Sequence, residues 1–393
     1  MDVVSFNFNE NEDIKKMECI ACFNFFVILH LKKQPSCKRC SVLNMKKSSL
    51  HNRVNREVLI KQMHESVESR MTISFYKYHH IAEPAIFRDD LFLMLNAIGT
   101  KGRIYVATEG VNAQVSVPTQ SVELFKETLY SIPFLNGVRL NIAVDDNGKS
   151  FFKLAIKVRP KIVADGLDDA SFDPANTGTH LDATNFNKLT DDPNTILIDM
   201  RNHYESEVGY FEGAIRPDVE TFREELNIAE EILRGQEDKN VVMYCTGGIR
   251  CEKASAWFKH KGFKNVFQLD GGIIQYAKQA KKEGLKNKFK GVNFVFDERL
   301  GERISPEIVA KCHQCGQPSD THKNCANDAC HLLFIQCEDC AAQFNSCCST
   351  KCAEFIQLPK EMQVELRKTE AFNGTQFGKG RYKAHHSSEG LIL

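Results

Sequence analysis

The chain of 393 residues is long enough for two or three domains, and its 42% hydrophobic and 26% charged residues exclude a fibrous or wholly disordered protein. Its 51 Lys and Arg balance 51 Asp and Glu, so no overall field draws it to nucleic acid, and such a partner must be held by a local patch. The 15 cysteines cluster as CxxC pairs near the ends and in one central loop, which reads as metal ligation and catalysis in a reducing cytoplasm, not as a secreted disulfide scaffold.

Residues 1–70 form an atypical extension. Cys19, Cys22, Cys37 and Cys40 give CxxC-x14-CxxC, a zinc-ribbon candidate on spacing alone. The alternatives are a poorly ordered extension, or sequence upstream of the true start, because a more regular segment opens at Met71. The most apolar run, residues 19–31, is too short to span a bilayer and precedes no small-residue cleavage site, so neither membrane nor secretion is expected.

From Met71 the pattern predicts strand 72–78, helix 85–97, strands 103–107 and 113–117, helix 121–130 and strand 138–144. This βαββαβ order implies a ferredoxin-like (acylphosphatase-like) α+β domain over 71–165, of a kind that often offers one open sheet face to RNA. Residues 151–163 read as a strand whose Lys153, Lys157, Arg159 and Lys161 give it a basic face, suited to RNA phosphates or simply solvated. Residues 166–184, rich in Asp, Gly, Asn and Thr, read as a linker.

Over 185–283 strands and helices alternate around one motif. The β-branched run Val241-Val242 leads to Cys245, then Gly247, Gly248 and a helix-compatible segment containing Arg250 and Cys251. A cysteine in such a strand-to-helix loop is surrounded by backbone N–H groups, the positive end of a helix and an arginine, all of which favour a thiolate or persulfide. Taken singly, Cys245 would read as a buried structural cysteine; the glycines and arginine favour a reactive one. A cysteine-dependent phosphatase loop places five residues between Cys and Arg. Position 251 is Cys, and the Arg250 loop is one residue shorter, sized for a single sulfur.

Beyond it, Lys281, Lys282, Lys286, Lys288 and Lys290 make a second basic candidate for RNA, in what reads as a basic linker from 284. Residues 312–352 hold nine cysteines. Cys312, Cys315, Cys337 and Cys340 are the leading zinc set, with Cys325, Cys330, Cys348 and Cys352 as a second, against a reading as free or redox-active thiols. His313, His322 and His331 are interspersed. From Ala353 the chain is polar and expected to be disordered.

The segment CTGGIRCEKASAW, with Asp199, Gly209 and Gly271-Gly272 around it, resembles a rhodanese domain with a parallel sheet. Together with the 71–165 pattern and CHQCGQPSDTHKNCANDACHLLFIQCEDC, it resembles the bacterial rhodanese-containing tRNA uridine hydroxylases over about Met71 to Cys352. That resemblance implies oxygen-dependent formation of 5-hydroxyuridine at the wobble position of the tRNA anticodon, with Cys245 essential and O2 as co-substrate. The residues alone argue instead for sulfur transfer, in which Cys245 carries a sulfane sulfur stabilised by Arg250. They show no flavin or nicotinamide fingerprint and no facial triad. An oxidised sulfur at Cys245, with Cys251 as a resolving thiol, is one route to oxygen chemistry. No DNA partner is expected.

Overall fold

The computed structural model describes residues 54–169, 171–374 and 380–382. The quartet Cys19, Cys22, Cys37 and Cys40 lies outside them. A helix, Arg56–Glu65, capped by the Asn55 side chain, leads into the first domain. Its strands are β1 (Arg70–Tyr78), β2 (Lys101–Ala107), β3 (Gly110–Pro118), β4 (Asn141–Ile142) and β5 (Leu154–Val158), in the order β4-β1-β3-β2-β5. All pairs are antiparallel except β2 with β5, which joins as an extra edge strand beside the expected βαββαβ unit.

Alternation along the strands decides what each face carries. Ile73 and Phe75 of β1, Ile104 and Val106 of β2 and Ala113 and Val115 of β3 enter one core with Leu91, Leu95, Phe125 and Leu129 of the helices Pro84–Ala97 and Val122–Tyr130. With a period of two, the opposite face must present Thr72, Ser74, Tyr76, Arg103, Tyr105, Asn112 and Gln114. One face is therefore sealed by apolar packing and the other is almost wholly polar.

The second domain contributes β6 (Thr179–Leu181), β7 (Thr195–Asp199), β8 (Gly209–Phe211), β9 (Asn240–Tyr244) and β10 (Asn265–Leu269). All but β8 form a parallel sheet ordered β6-β10-β9-β7. In β9, Val241 and Met243 pack with the helices Phe222–Leu233 and Ile249–His260, while Val242 and Tyr244 pack with Ala183–Leu189 and Gly272–Glu283. Burial on both faces explains the unbroken apolar run that leads to Cys245.

Several boundaries differ from expectation. The linker predicted over 166–184 already holds β6, because Thr179–Leu181 finds its partner in β10, far along the chain. The basic linker predicted from 284 supplies β11 (Phe289–Asn293), which pairs with β8 and with β12 (Glu302–Arg303). The strand predicted over 151–163 is only five residues long, and Pro160, which has no N–H to donate, follows its end. The predicted strand 138–144 shrinks to β4, since Val138 is taken up by a turn bonded to Leu135.

The C-terminal region builds a hairpin from β13 (His322–Asn324) and β14 (Leu333–Ile335), followed by helices Glu338–Gln343, Thr350–Phe355 and Lys360–Leu366. The last two lie partly or wholly in the segment expected to be disordered. They are fastened there by the buried Gln363, which donates to the carbonyls of Ile356 and Leu358 at 3.3 and 2.8 Å, and by the Phe355–Phe372 ring contact. Among the described residues no helix is long and apolar enough to cross a membrane.

Candidate active site

Cys245 immediately follows β9, at the C-terminal edge of the parallel sheet, where such sheets place their ligands. Gly248 closes the loop at φ +97°, caps the helix Ile249–His260 and donates its N–H to Cys245 Sγ at 3.1 Å. From below, the N–H groups of Ile273 and Ile274 donate to the carbonyls of Cys245 and Thr246 at 3.0 and 3.2 Å. Gly272, at φ +66°, leaves no room for a side chain, as a Cβ there would lie 2.5 Å from the Cys245 carbonyl oxygen. The Gly271-Gly272 pair is thus the floor of the loop.

Burial of the Cys245 sulfur opposes its ionisation. The Cys251 thiol, the Arg250 charge and the amides of Arg250 and Cys251 outweigh that, drawing its pKa from 9.0 to about 6. Cys251 moves the opposite way: burial, and then its bond to Cys245, push its thiol well above the ordinary value. At neutral pH Cys245 carries the charge and Cys251 keeps the proton. The three residues expected to act together do meet.

What aims Arg250 is Glu205, which sequence reasoning passed over. The fully buried carboxylate receives both arms of the guanidinium at 2.6 and 2.8 Å. The Asn202-x-x-Glu205 spacing is a capping box that starts the helix His203–Ser206, and this was the only local signal for it. Asp199 and Arg201 form a separate buried pair, 2.6 to 2.8 Å apart, which Tyr244 joins by donating to Asp199 at 2.7 Å. That pair braces the sheet away from the sulfur.

The polar face of the first sheet lies against the Cys245 loop. Between them is a cavity of about 370 Å³, with Ser74, Tyr105 and Gln114 on one wall and Cys245, Thr246 and Arg250 on the other. Its size is that of a small-molecule site. The two walls are locked together: Tyr76 donates to Glu252 at 2.9 Å, Tyr78 to the Ile249 carbonyl at 3.3 Å, and the buried Lys253 ammonium to both oxygens of Glu109 at 3.0 and 2.8 Å and to Asp165.

Residues 70–162 match the UPF0176 acylphosphatase like domain, residues 182–279 the rhodanese-like domain and residues 290–353 the rhodanase C-terminal family. The tRNA uridine(34) hydroxylase of Pectobacterium carotovorum is 54% identical over 344 residues, 87% of this chain and 95% of that one. The chain belongs to the tRNA uridine(34) hydroxylase family. The protein of that name from Yersinia enterocolitica is likewise 54% identical over 87% of this chain and 96% of its own, and that of Salmonella newport is 55% identical over 84% and 95%. The likeness therefore extends well beyond the Cys245 loop.

The Cys-rich region of this family member gathers two tetrads, Cys312, Cys315, Cys337 and Cys340, and Cys325, Cys330, Cys348 and Cys352, each with sulfurs within 4.8 Å of one another. Tetrahedral zinc with Zn–S of about 2.3 Å needs sulfurs about 3.8 Å apart. Cys315–Cys337 and Cys330–Cys348 at 3.6 Å and Cys348–Cys352 at 3.9 Å fit that requirement. His313 is used elsewhere, bonded to Glu207 at 2.8 Å.

The lysines expected to bind RNA are dispersed. Lys288 is buried, its ammonium held by the Asn187 carbonyl at 2.7 Å, Thr190 at 2.9 Å and Asp191 at 2.6 Å. Lys286 and Lys290 pair with Glu212, and Lys161 with Asp165. β11 draws Lys288 into the fold, whereas Lys286 stays exposed and Lys290 partly so. Lys281 and Lys282 end the helix Gly272–Glu283 and are exposed, as are Lys157 and Arg159, while Lys153 is half-buried.

Proposed function

We propose that this chain is an oxidoreductase that hydroxylates C5 of uridine 34, the wobble position in the tRNA anticodon, with O2 as co-substrate and Cys245 as the reacting residue. The observation that carries this reading is a buried thiolate opening onto a base-sized cavity, whose opposite wall comes from the acylphosphatase-like domain shared with the relatives. A thiolate adds readily to C6 of a uracil, and the addition makes C5 electron-rich. One atom of O2 then bonds to C5, and the other leaves as water when an external dithiol gives two electrons and two protons and becomes a disulfide. Loss of the C5 proton and of Cys245 from C6 restores the ring. Arg250 balances the charge on the sulfur as it departs, and Cys251 keeps a proton beside it. Zinc at the two cysteine tetrads would tie the C-terminal segments together and has no place in these steps.

Nucleoside mass spectrometry of tRNA from cells with and without the protein tests the reading, with 18O2 reporting the origin of the oxygen. Loss of 5-hydroxyuridine without the protein, with label taken from 18O2, is expected. A second reading is favoured by the single-sulfur loop: a sulfurtransferase in which Cys245 carries a persulfide. It predicts thiocyanate from thiosulfate and cyanide without oxygen, and unchanged 5-hydroxyuridine in cells lacking the protein.

A further inference from the structure

The cavity beside Cys245 has a neighbour at each end. One, of about 310 Å³, shares the walls Arg103, Phe296 and Asp297 with it. The other, of about 350 Å³, shares Tyr76, Asn141 and Gly247. The two outer cavities have no wall residue in common, so they open off different sides of the central one and form a row along the seam between the first sheet and the Cys245 loop. We propose that this row is a channel for three consecutive nucleotides of single-stranded RNA, with the middle base at Cys245. The proposal rests on the reading of the chain as a tRNA uridine hydroxylase, and it assigns the neighbours of that uridine to the outer cavities.

The chemistry of the outer cavities repeats. In the first, the Lys153 ammonium stands 5.7 Å from the centre of the Phe152 ring. In the second, the Tyr76 and Tyr78 rings stand 6.4 Å apart, and the exposed Arg139, paired with Asp270 at 2.5 and 2.6 Å, lines the same cavity. A cation for the phosphate and a ring for the base is what a single strand requires at each step. Between the central and second outer cavities, Asn141 is only 5% exposed, and its Oδ1 has no hydrogen-bond partner among the described residues. A buried acceptor without a partner is costly unless a ligand satisfies it, and the imide N–H of a uracil is a suitable donor. The base must leave its stack to reach that depth, as bases do in enzymes that act on them.

The test uses the full chain and an anticodon stem-loop RNA with uridine at position 34, titrated over a range of salt. Arg139→Ala and Lys153→Ala should each weaken binding about 3- to 10-fold and reduce the log–log salt slope by about 0.7, with the loss read in KM more than in kcat. Phe152→Ala should weaken it about 5- to 100-fold. 4-Thiouridine placed just before and just after position 34 should crosslink to opposite ends of the row, one near Lys153 and the other near Arg139. Unchanged affinity and slope in the double variant Arg139→Ala/Lys153→Ala, or both neighbours crosslinking at one end, would overturn the channel. If the unsubstituted protein leaves uridine 34 unmodified while the Arg139 and Lys153 variants still lose affinity, the channel stands and the hydroxylase reading falls.

Discussion

Arg250 and Glu205 form a two-armed ion pair at 2.6 and 2.8 Å, and the carboxylate is wholly buried, so the guanidinium beside Cys245 is aimed by its partner and not by solvent. Removing one member of a buried pair leaves the other charge uncompensated, at a cost of about 3–5 kcal/mol. Glu205→Ala should lower stability by about that amount in urea denaturation. Glu205→Gln, which keeps the shape but only part of the pairing, should lower it less while still reducing hydroxylation at least about 10-fold. Activity unaffected by Glu205→Gln would show that the orientation of Arg250 does not matter.

The Cys245 pKa of about 6 sets a pH dependence. The rate of alkylation of Cys245 should rise through pH 6 and level off above it, and Cys245→Ser should abolish hydroxylation with the fold intact. Cys251→Ala removes the proton shared with the sulfur and should move the midpoint upward, whereas Cys251→Ser keeps an O–H donor and should move it less. Because the folded pKa lies below the ordinary 9.0, ionisation favours the folded state. That contribution is complete above about pH 9 and is lost as pH falls through about 6.

Glu225 has the opposite sign. Burial raises its carboxyl to about 10, first by desolvation and then by repulsion from Asp199, and neither oxygen has a hydrogen-bond partner among the described residues. A folded pKa above the ordinary 4.5 means that stability is fully present below pH 4.5 and falls as pH rises towards 10, by about 1.4 kcal/mol per pH unit. Glu225→Gln should therefore stabilise the protein at pH 8 by a few kcal/mol more than at pH 5. Equal effects at both pH values in denaturant titrations would contradict a neutral carboxyl at this position.

The two cysteine tetrads should each hold one zinc ion. Metal analysis of the full chain should show one equivalent lost in Cys312→Ser/Cys315→Ser and one in Cys325→Ser/Cys330→Ser, with loss of structure in the C-terminal region. Structural zinc supplies roughly 10 kcal/mol or more to such small units. Parent and variant proteins with the same metal content would dismiss both sites.

Lys288 provides a contrast with the channel cations Arg139 and Lys153. Its three internal partners make it part of the fold, so Lys288→Ala should lower the unfolding temperature and leave the salt slope of RNA binding unchanged.

The reactive loop was legible because its determinants are local. A β-branched run, a cysteine, two glycines and an arginine five residues on dictate a strand, a tight turn and a helix start, whatever surrounds them. The tetrad Cys312, Cys315, Cys337 and Cys340 was legible for a similar reason, since CxxC spacing places two sulfurs on one turn; the second, spaced Cys325-x4-Cys330 and Cys348-x3-Cys352, was legible only from the density of cysteines. The polar face of the first sheet was also written in the sequence, as hydroxyls at 72, 74 and 76, though no local feature says what that face covers. Glu205, Lys253 and Asn141 were not legible as site residues. Glu205 meets Arg250 across 45 positions, and Lys253 meets Glu109 across 144. The basic stretch 286–290 read as a linker offering lysines to RNA because its sequence cannot reveal that β8 waits as a partner. Sequence by itself determined the chemistry of the sulfur; only the packing of the first sheet against its loop decided that the thiolate faces a cavity walled by that sheet, because that contact joins residues whose spacing no periodicity records.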